Sequence, residues 1–523
     1  MIKIEKTYIP LFVILLVTFG IVIGKFWNSN SFAESTIYKS KLNKLIAFIE
    51  SDYVDDVKTD SIVDLTLTNI LGSLDPHSTY TSAEDQALFA EEMRGDFVGI
   101  GVYFYSFKDS IAVVKVIENG PAKKAGILGG DRILYANKTK LFGKNIDTEK
   151  VFSNLKGEID SEVILTIYRK TTKKILKIKV KRAEIPIKSV DIGMLLNPKT
   201  GYIKINKFAE NTAIEFRAEL TKLKLKGITS LVIDLRENGG GLMEVCNEIA
   251  DELLTDNELI VFTKNKRGAI EKDFATKQGD FETGKLAILI NENSASASEI
   301  LAGAIQDNDR GTIYGRRSFG KGLVQQEMNF EDGSAVRLTT ARYYTPSGRS
   351  IQKPYTKGAS EDYYDESYQR WDSGELFDKN KIAITDSLKY KTKKGRIVYG
   401  GGGIIPDVFV PIEVAKGEEN IEELFFQSGV ISNFVFEQLD AKRNELQKLN
   451  FNGFKTKFKD ENFVPAFEKY LKKITFDITN LKSKAIINRY IVAEFARQLY
   501  SDATYFQLLL NEDKMINEVL KKQ

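Results

Sequence analysis

Histidine and cysteine are almost missing from this chain. Its 523 residues contain one of each, His77 and Cys246. A lone cysteine excludes an intramolecular disulfide, and one thiol with one imidazole leaves a Cys/His zinc site without its donors. Cys246 follows a glycine loop at helical spacing, where a buried structural thiol is expected. A strong charge of either sign is also lacking: 75 Lys and Arg stand against 72 Asp and Glu, a net charge of +3. Nucleic-acid binders carry a clear basic excess, so no such partner is expected. What the chain does have is apolar bulk. With 42% hydrophobic residues it can fill several cores, and its length points to roughly three or four domains.

The N-terminus carries an apolar run from Ile9 to Ile23, preceded by Lys3 and Lys6 and closed by Lys25. The run is short for a membrane span unless its flanks are included, and it also fits the core of a signal peptide. Ser31-Phe32-Ala33 is a weak cleavage site, which favours an uncleaved anchor with its basic flank inside. Residues 1–26 are expected to be a signal anchor or signal peptide, and the body to be exported.

Periodicity divides the rest. Residues 35–94 read as helical: Leu42, Leu45, Ile46 and Ile49 share a face, Asp75-Pro76 stops a second helix, and Thr81-Ser82-Ala83-Glu84 forms a capping box for a third. Residues 95–182 change to a period of two. Val98, Ile100, Val102 and Phe104 alternate as in a strand, further strands lie at 111–117, 162–169 and 175–180, and Asp147 can cap a helix from Thr148 to Leu155. Residues 183–411 mix continuous apolar strands such as Leu231–Leu235 with helices, as α/β folds do. Residues 354–395 are polar and tyrosine-rich, long for a loop, and are expected to be a mobile excursion. Residues 412–523 have helical spacing, many lysines and recurrent phenylalanines, the pattern of a helical packing domain with a partner surface as the alternative.

The chemistry concentrates between Asn291 and Gln326. An apolar strand, 285–290, runs into Ser294-Ala295-Ser296-Ala297-Ser298 and then into a helix that begins at Glu299. A serine there is exposed at a sharp turn beside free N–H groups and the positive end of a helix dipole. Such a nucleophile needs a base. His77 lies in a polar turn more than 200 residues away. Lys321, in Phe319-Gly320-Lys321-Gly322, is the better candidate, because flanking glycines permit close approach and burial can make a lysine basic at neutral pH. Upstream, Arg236-Glu237-Asn238-Gly239-Gly240-Gly241 follows a strand and could cradle an anion, yet the Gly-Lys-Ser/Thr of a phosphate loop is missing.

Ser-Ala-Ser-Ala-Ser-Glu followed by Phe-Gly-Lys-Gly-x-Val-Gln-Gln resembles the carboxy-terminal processing peptidases, or tail-specific proteases, and the likeness runs from about residue 35 to 411. The resemblance implies that Ser296 is the nucleophile, Lys321 the general base, Gln325 the residue that orients the lysine, and Gly240 and Ala297 the oxyanion donors. The family usually has proline where Gly239 stands, which implies a looser loop here. Asp307, 11 residues after Ser296, matches an aspartate that affects activity in some members; its place on the helix favours a cap or ion pair. The Gly-Pro-Ala and Gly-Gly-Asp turns of 95–182 make that segment similar to a PDZ domain, with Gly99-Ile100-Gly101-Val102 as the loop that receives a terminal carboxylate.

The expected architecture is therefore α/β multidomain: an N-terminal helical region (35–94), a PDZ-like β-rich domain (95–182), an α/β Ser-Lys protease core (183–411) and a C-terminal helical domain (412–523). The expected activity is that of a serine endopeptidase that recognises protein tails with a free C-terminus. It needs no cofactor or metal, is tethered to the membrane by its first segment, acts on the periplasmic side of an inner membrane, and is compatible with an oligomer. The alternative is a noncatalytic peptide-binding scaffold on the same fold.

Overall fold

The computed structural model describes residues 29–144, 146–384, 386–418, 421, 429–474 and 481–522. The expected anchor, 1–26, lies outside them; among the described residues no helix is long and apolar enough to cross a membrane. The chain divides into two compact units between Leu74 and Asp75. The first consists of α1 (Ser29–Asp52) and α2 (Thr59–Gly72). Its helical spacing is as expected, but Phe48 and Leu65 remain exposed.

The second unit begins with β1 (Thr79–Thr81) and α3 (Ala83–Arg94). Ser82 caps α3, its side chain accepting from the Asp85 N–H at 3.2 Å, so the cap sits one residue later than Thr81. The strand expected from Val98 to Phe104 is broken. Gly101 adopts φ +75°, a conformation open to glycine, and divides β2 (Asp96–Gly99) from β3 (Val102–Phe107). Next come β4 (Ser110–Val116), α4 (Pro121–Lys124), β5 (Arg132–Ala136), β6 (Thr139–Lys140), α5 (Thr148–Leu155), β7 (Glu162–Arg169), β8 (Lys174–Lys181) and β9 (Ala183–Pro186). Asp147 caps α5, accepting from the Glu149 N–H at 3.0 Å. The sheet runs β3-β4-β5-β7-β8, which leaves β3 as an edge, while β2 turns away to pair with β9.

The central sheet uses β10 (Val190–Asn197), β11 (Thr200–Ile205), β12 (Ser230–Asp234), β15 (Lys285–Ile290), β16 (Thr312–Gly315) and β21 (Val408–Phe409), in that order across the sheet. It is parallel from β11 to β21. Helices α6 (Thr212–Leu225), α7 (Met243–Asp251) and α8 (Ala297–Asp307) cover one face. Side chains alternate across a strand, so Leu231 and Ile233 of β12 enter this layer and Val232 enters the opposite one. A second, antiparallel sheet joins β1, β18 (Ala335–Tyr344), β13 (Leu259–Asn265) and β14 (Ile270–Phe274), with β17 (Leu323–Asn329) hairpinned to β18.

The polar stretch 354–395 is not a bare excursion. It holds α9 (Ser360–Ser373) and β19 (Lys389–Lys391), which pairs with β20 (Ile397–Tyr399). Some of its charged residues pair with the core: Glu375 binds Arg317 at 2.6 Å with both side chains nearly buried. A sequence pattern registers those residues only as polar, because their partners are remote in the chain.

The C-terminal phenylalanines form a core of their own. Phe434, Phe454 and Phe467 are fully buried among α10 (Val430–Leu446), α11 (Phe451–Phe458), α12 (Val464–Lys473) and α13 (Lys484–Leu499). The last two helices, α14 (Asp502–Leu510) and α15 (Lys514–Lys522), do something different. Leu510, Met515, Ile516 and Val519 pack against Tyr202, Val232, Ala287 and Leu289. They are the second layer of the central sheet, and Asp513 between them binds Arg236 at 2.7 Å.

If α15 is part of that core, Ile516→Ala should behave as a core truncation. Ile516 is 1% exposed, and the expected loss is about 2–5 kcal/mol of stability. Urea unfolding followed by protection of the central strands against hydrogen exchange measures it; a loss within about 0.5 kcal/mol, as at an ordinary surface site, would contradict this layer assignment.

Candidate active site

Ser296 occupies the turn between β15 and α8, with φ +53° and ψ −115°. A non-glycine residue in that region costs about 1–3 kcal/mol and persists only where the surroundings hold it. Its two serine neighbours supply part of the hold. Ser294 Oγ donates to Leu235 O at 2.8 Å, and Ser298 Oγ donates to Asn238 O at 2.9 Å. Both hydroxyls are buried and committed, which leaves Ser296 as the serine of the three that faces outward.

The rest of the hold comes from Glu299, one turn into α8 and fully buried. Its Oε2 accepts from the N–H groups of Ser296 (2.9 Å) and Lys321 (2.8 Å), and its Oε1 from Gly320 N–H (2.7 Å) and Ser318 Oγ (2.6 Å). One carboxylate thus fastens the backbone of the serine to the backbone of the lysine. Burial pushes its pKa up to about 7, although all the hydrogen bonds it accepts favour the ionised form. Tyr343, on β18, makes a second link. Its hydroxyl donates to Lys321 O at 2.6 Å and lies 3.2 Å from Ser296 O.

Lys321 follows Gly320, at φ +93°, where a Cβ would meet Gly403 N and Lys353 Cβ at 3.1 Å. A Cβ at Gly322 would sit 2.9 Å from Gln352 N, so the two glycines do permit the close approach expected of them. Desolvation lowers the Lys321 pKa from its ordinary 10.5, the Arg337 charge lowers it further, and Glu299 and Asp75 partly offset both. Among the described residues its Nζ has no hydrogen-bond or ion-pair partner.

Gly240 lies directly against the serine. A Cβ there would be 2.8 Å from Ser296 Cβ and 3.1 Å from Ala297 N, and φ is +105°. Its own N–H is not free, however: it donates to Asn238 Oδ1 at 2.9 Å, while Asn238 Nδ2 holds Ile205 O. Ala297 is the first residue of α8, so its N–H has no acceptor within the helix. At Gly239 a Cβ would meet nothing within 4 Å. A side chain fits there, and the loop is held by Asn238 rather than by that position.

Gln325, on β17, is half-buried; its Nε2 is 3.5 Å from Thr339 Oγ1, a long contact, and no bond to Lys321 accompanies it among the described residues. Thr339 Oγ1 in turn donates to Asp75 Oδ1 at 3.0 Å. Asp75 also accepts from His77 N–H, Ser78 N–H and Ser78 Oγ. His77, expected in a remote turn, is drawn to the site. Burial and then the Lys321 charge lower its pKa to about 4, and its Nε2 is 3.0 Å from Tyr363 Oη. Asp307 is structural in its contacts: it is fully buried, binds Arg349 at 2.8 Å, and accepts from Thr345 Oγ1 and Ser347 N–H. Cys246 is buried, with Sγ 3.1 Å from Ala297 O, and burial pushes its thiol pKa up. Among the described residues no three His, Cys, Asp or Glu side chains gather as a metal ligand set.

In the β-rich domain, Ile100 belongs to the core, its carbonyl accepting from Ala122 N–H and the Gly101 carbonyl from Ile117 N–H. Among the described residues no acceptor takes the N–H of Ile100 or of Gly101. Val102 begins the edge strand β3, beside which Phe104 meets Phe152 of α5 at 5.2 Å.

Glu299 and Asp75 are the site residues that sequence reasoning passed over. For Glu299 a signal existed: Ser296-x-x-Glu299 has the spacing of a capping box. For Asp75 none did: its local partners, His77 and Ser78, make an ordinary polar turn, and Thr339, which ties it to the site, lies 264 residues away.

Residues 199–364 match peptidase family S41, residues 98–180 match the PDZ domain, and residues 424–501 match a family of unknown function. The carboxy-terminal-processing protease of Bartonella bacilliformis is 34% identical over 326 residues, 61% of this chain and 74% of that one. A CtpA-like serine protease of Staphylococcus aureus is 33% identical over 316 residues, and the chain spans 62% of its length. Among solved structures, a photosystem II D1 C-terminal processing protease is 26% identical, with 71% of this chain and 86% of that chain covered and a TM-score of 0.37.

Glu299→Gln keeps the shape but places an amide NH₂ where donors already point. Leaving buried groups unsatisfied costs about 1–3 kcal/mol, so the variant should unfold earlier in denaturant by that amount. Stability equal to the wild type would mean that the carboxylate does not hold the turn.

Proposed function

Because the chain belongs to the carboxy-terminal processing peptidases of family S41, we propose that it is an exported serine endopeptidase that captures protein tails on its PDZ domain and cleaves them with Ser296 and Lys321. The observation that carries this reading is the Glu299 carboxylate, which accepts from the N–H groups of Ser296 and Lys321 on one oxygen, at 2.9 and 2.8 Å. A serine held in a strained turn at a helix start, fastened to a lysine whose charged form is destabilised by burial, is the arrangement that nucleophilic catalysis requires.

In this reading neutral Lys321 takes the Ser296 proton as Oγ bonds to the scissile carbonyl carbon. The carbonyl electron pair moves to oxygen, where the Ala297 N–H receives it together with the Gly240 N–H, which must leave Asn238 Oδ1 to do so. As the intermediate collapses, the C–N bond breaks and Lys321 returns the proton to the leaving amine. Water, deprotonated by Lys321, then attacks the acyl carbon; the bond from that carbon to Ser296 Oγ breaks, and Lys321 gives the proton to Oγ. Gln325 orients the lysine in this scheme, reaching it from β17 by a change of partner at its 3.5 Å contact with Thr339. Residues 95–182 capture the tail, residues 183–411 cleave, and residues 1–26 keep the enzyme at the membrane.

Tail capture is supported by the N–H groups of Ile100 and Gly101, which no acceptor takes among the described residues, at the start of the open edge of β3. A peptide adding to β3 as a strand would bring its terminal carboxylate to those donors. Gly101 leaves little space, with Ile185 Cδ1 3.1 Å from the position of a Cβ.

Ser296→Ala should abolish cleavage of a tailed protein while leaving tail binding intact, as read by mass spectrometry of products and by a binding assay; retained turnover would remove Ser296 from the chemistry. The lysine sets the pH dependence. Only its neutral form accepts a proton, so the rate should rise with pH through a pKa below 10.5, and Lys321→Arg should be inactive at every pH. A profile unchanged in shape after Lys321 is removed would place the base elsewhere.

Amidating the tail removes the charge that the Ile100 and Gly101 donors would face. A charge-assisted hydrogen bond contributes about 1.5–3 kcal/mol, so affinity should fall roughly 10- to 100-fold. Equal binding of the free and amidated peptide would take carboxylate capture out of the scheme.

A further inference from the structure

The segment Arg317–Lys321 lies in neither a helix nor a strand, yet its polar groups are almost all engaged. Its N–H groups turn inward: Phe319 donates to Ser294 O, and Gly320 and Lys321 donate to Glu299. The carbonyls of residues 317–319 turn the other way, toward α9. There the Arg370 side chain, 4% exposed, donates from Nη1 to Arg317 O (3.2 Å) and Ser318 O (2.9 Å), and from Nη2 to Phe319 O (3.2 Å). Glu366, one turn earlier on the same helix, fixes the guanidinium through Nε at 3.0 Å and Nη2 at 3.2 Å. Burial opposes the ionisation of Glu366, but Arg370 and Lys353 outweigh it and bring its pKa down to about 2. Lys353 itself lies 4.1 Å from the ring centroids of both Phe319 and Tyr363, which closes the loop from the side.

We propose that α9 is a clamp on the lysine-bearing loop and that Arg370 is a positioning residue for Lys321, acting through the carbonyls of residues 317–319. The reason lies in the covalent geometry. Successive peptide planes ending at Gly320 determine where the Lys321 Cα sits, and Gly320 at φ +93° offers no steric resistance of its own. With the N–H side held by a buried anion and the C=O side by a buried cation, the loop has one arrangement. A planar guanidinium suits the task because its fixed fork of donors can reach several acceptors together, which an ammonium does less well. The proposal rests on Lys321 being the base.

The test uses the full chain and a tailed protein substrate, with kcat, KM, the pH–rate profile and thermal unfolding measured for each variant. Misplacement by about 1 Å can cost about 100-fold, so Arg370→Met should lower kcat roughly 10- to 100-fold with KM within about twofold, and should move the rising limb of the pH profile. Arg370→Lys should recover part of the loss. Tyr368→Ala, 54% exposed on the same helix, should match the wild type. A folded Arg370→Met with wild-type kcat and pH profile overturns the proposal, as does a loss confined to KM. If Arg370→Met does not fold, Glu366→Gln gives the reading: a lower kcat and a shifted profile support the clamp, and unchanged values overturn it. Lys321→Ala separates the two levels. Turnover retained there overturns both the base and the clamp, whereas an inactive Lys321→Ala beside a normal Arg370→Met overturns the clamp alone.

Discussion

A single buried carboxylate joins the two halves of the candidate site. Among the described residues Glu299 has no ion-pair partner; it is stabilised by the N–H groups of Ser296, Gly320 and Lys321 and the hydroxyl of Ser318. An acceptor-only group is what a cluster of converging donors needs. Without it, the positive φ of Ser296 has lost a restraint, and so has the loop that brings Lys321 to the serine. The strain at Ser296 and the burial of Glu299 are linked costs: each is tolerable because the other is present.

The same logic extends outward in shells of alternating charge. Glu299 takes the N–H groups of Gly320 and Lys321 and the Ser318 hydroxyl, Arg370 takes the C=O side of 317–319, and Glu366 fixes Arg370. At the end of β12, just before the glycine loop, Asp234 is buried. Burial alone would raise its pKa, but Arg236 and Lys204 outweigh that and hold it well below the usual carboxylate range. Arg236 reaches Asp513 of the C-terminal segment at 2.7 Å. Irregular backbone at a site cannot satisfy itself as a helix or a sheet does, so charged side chains from distant segments do the satisfying. The C-terminal helices are tied into the site on this account, both by that ion pair and by covering the second face of the sheet.

Much of this was legible in the chain itself. The apolar run of β15, the small residues after it and the helix from Ala297 are local patterns, and the turn at Ser296 falls where they meet. Asp147 caps its helix as its position predicts, and glycines flank Lys321 for the reason that the close contacts with Gly403 and Gln352 make plain. Period-two alternation also identified the β-rich region, although it ran through Gly101, because alternation is blind to a residue whose φ changes sign.

Tertiary structure decided what depends on partners far apart in sequence. His77 and Asp75 reach the site only because β1 pairs with β18, a register that no local pattern encodes. The Gly240 N–H is occupied by Asn238, Gln325 lies at long range from Thr339, and Arg317 pairs with Glu366 of α9 and with Glu375 just after it. Each outcome turns on distances of a few tenths of an ångström between groups that composition counts only as polar. By itself the sequence singled out the candidate residues for chemistry and the elements that present them, since both follow from residue type and local spacing. Only the folded chain decided which donors are free and which are already engaged, because a hydrogen bond is a property of two groups and sequence proximity supplies just one of them.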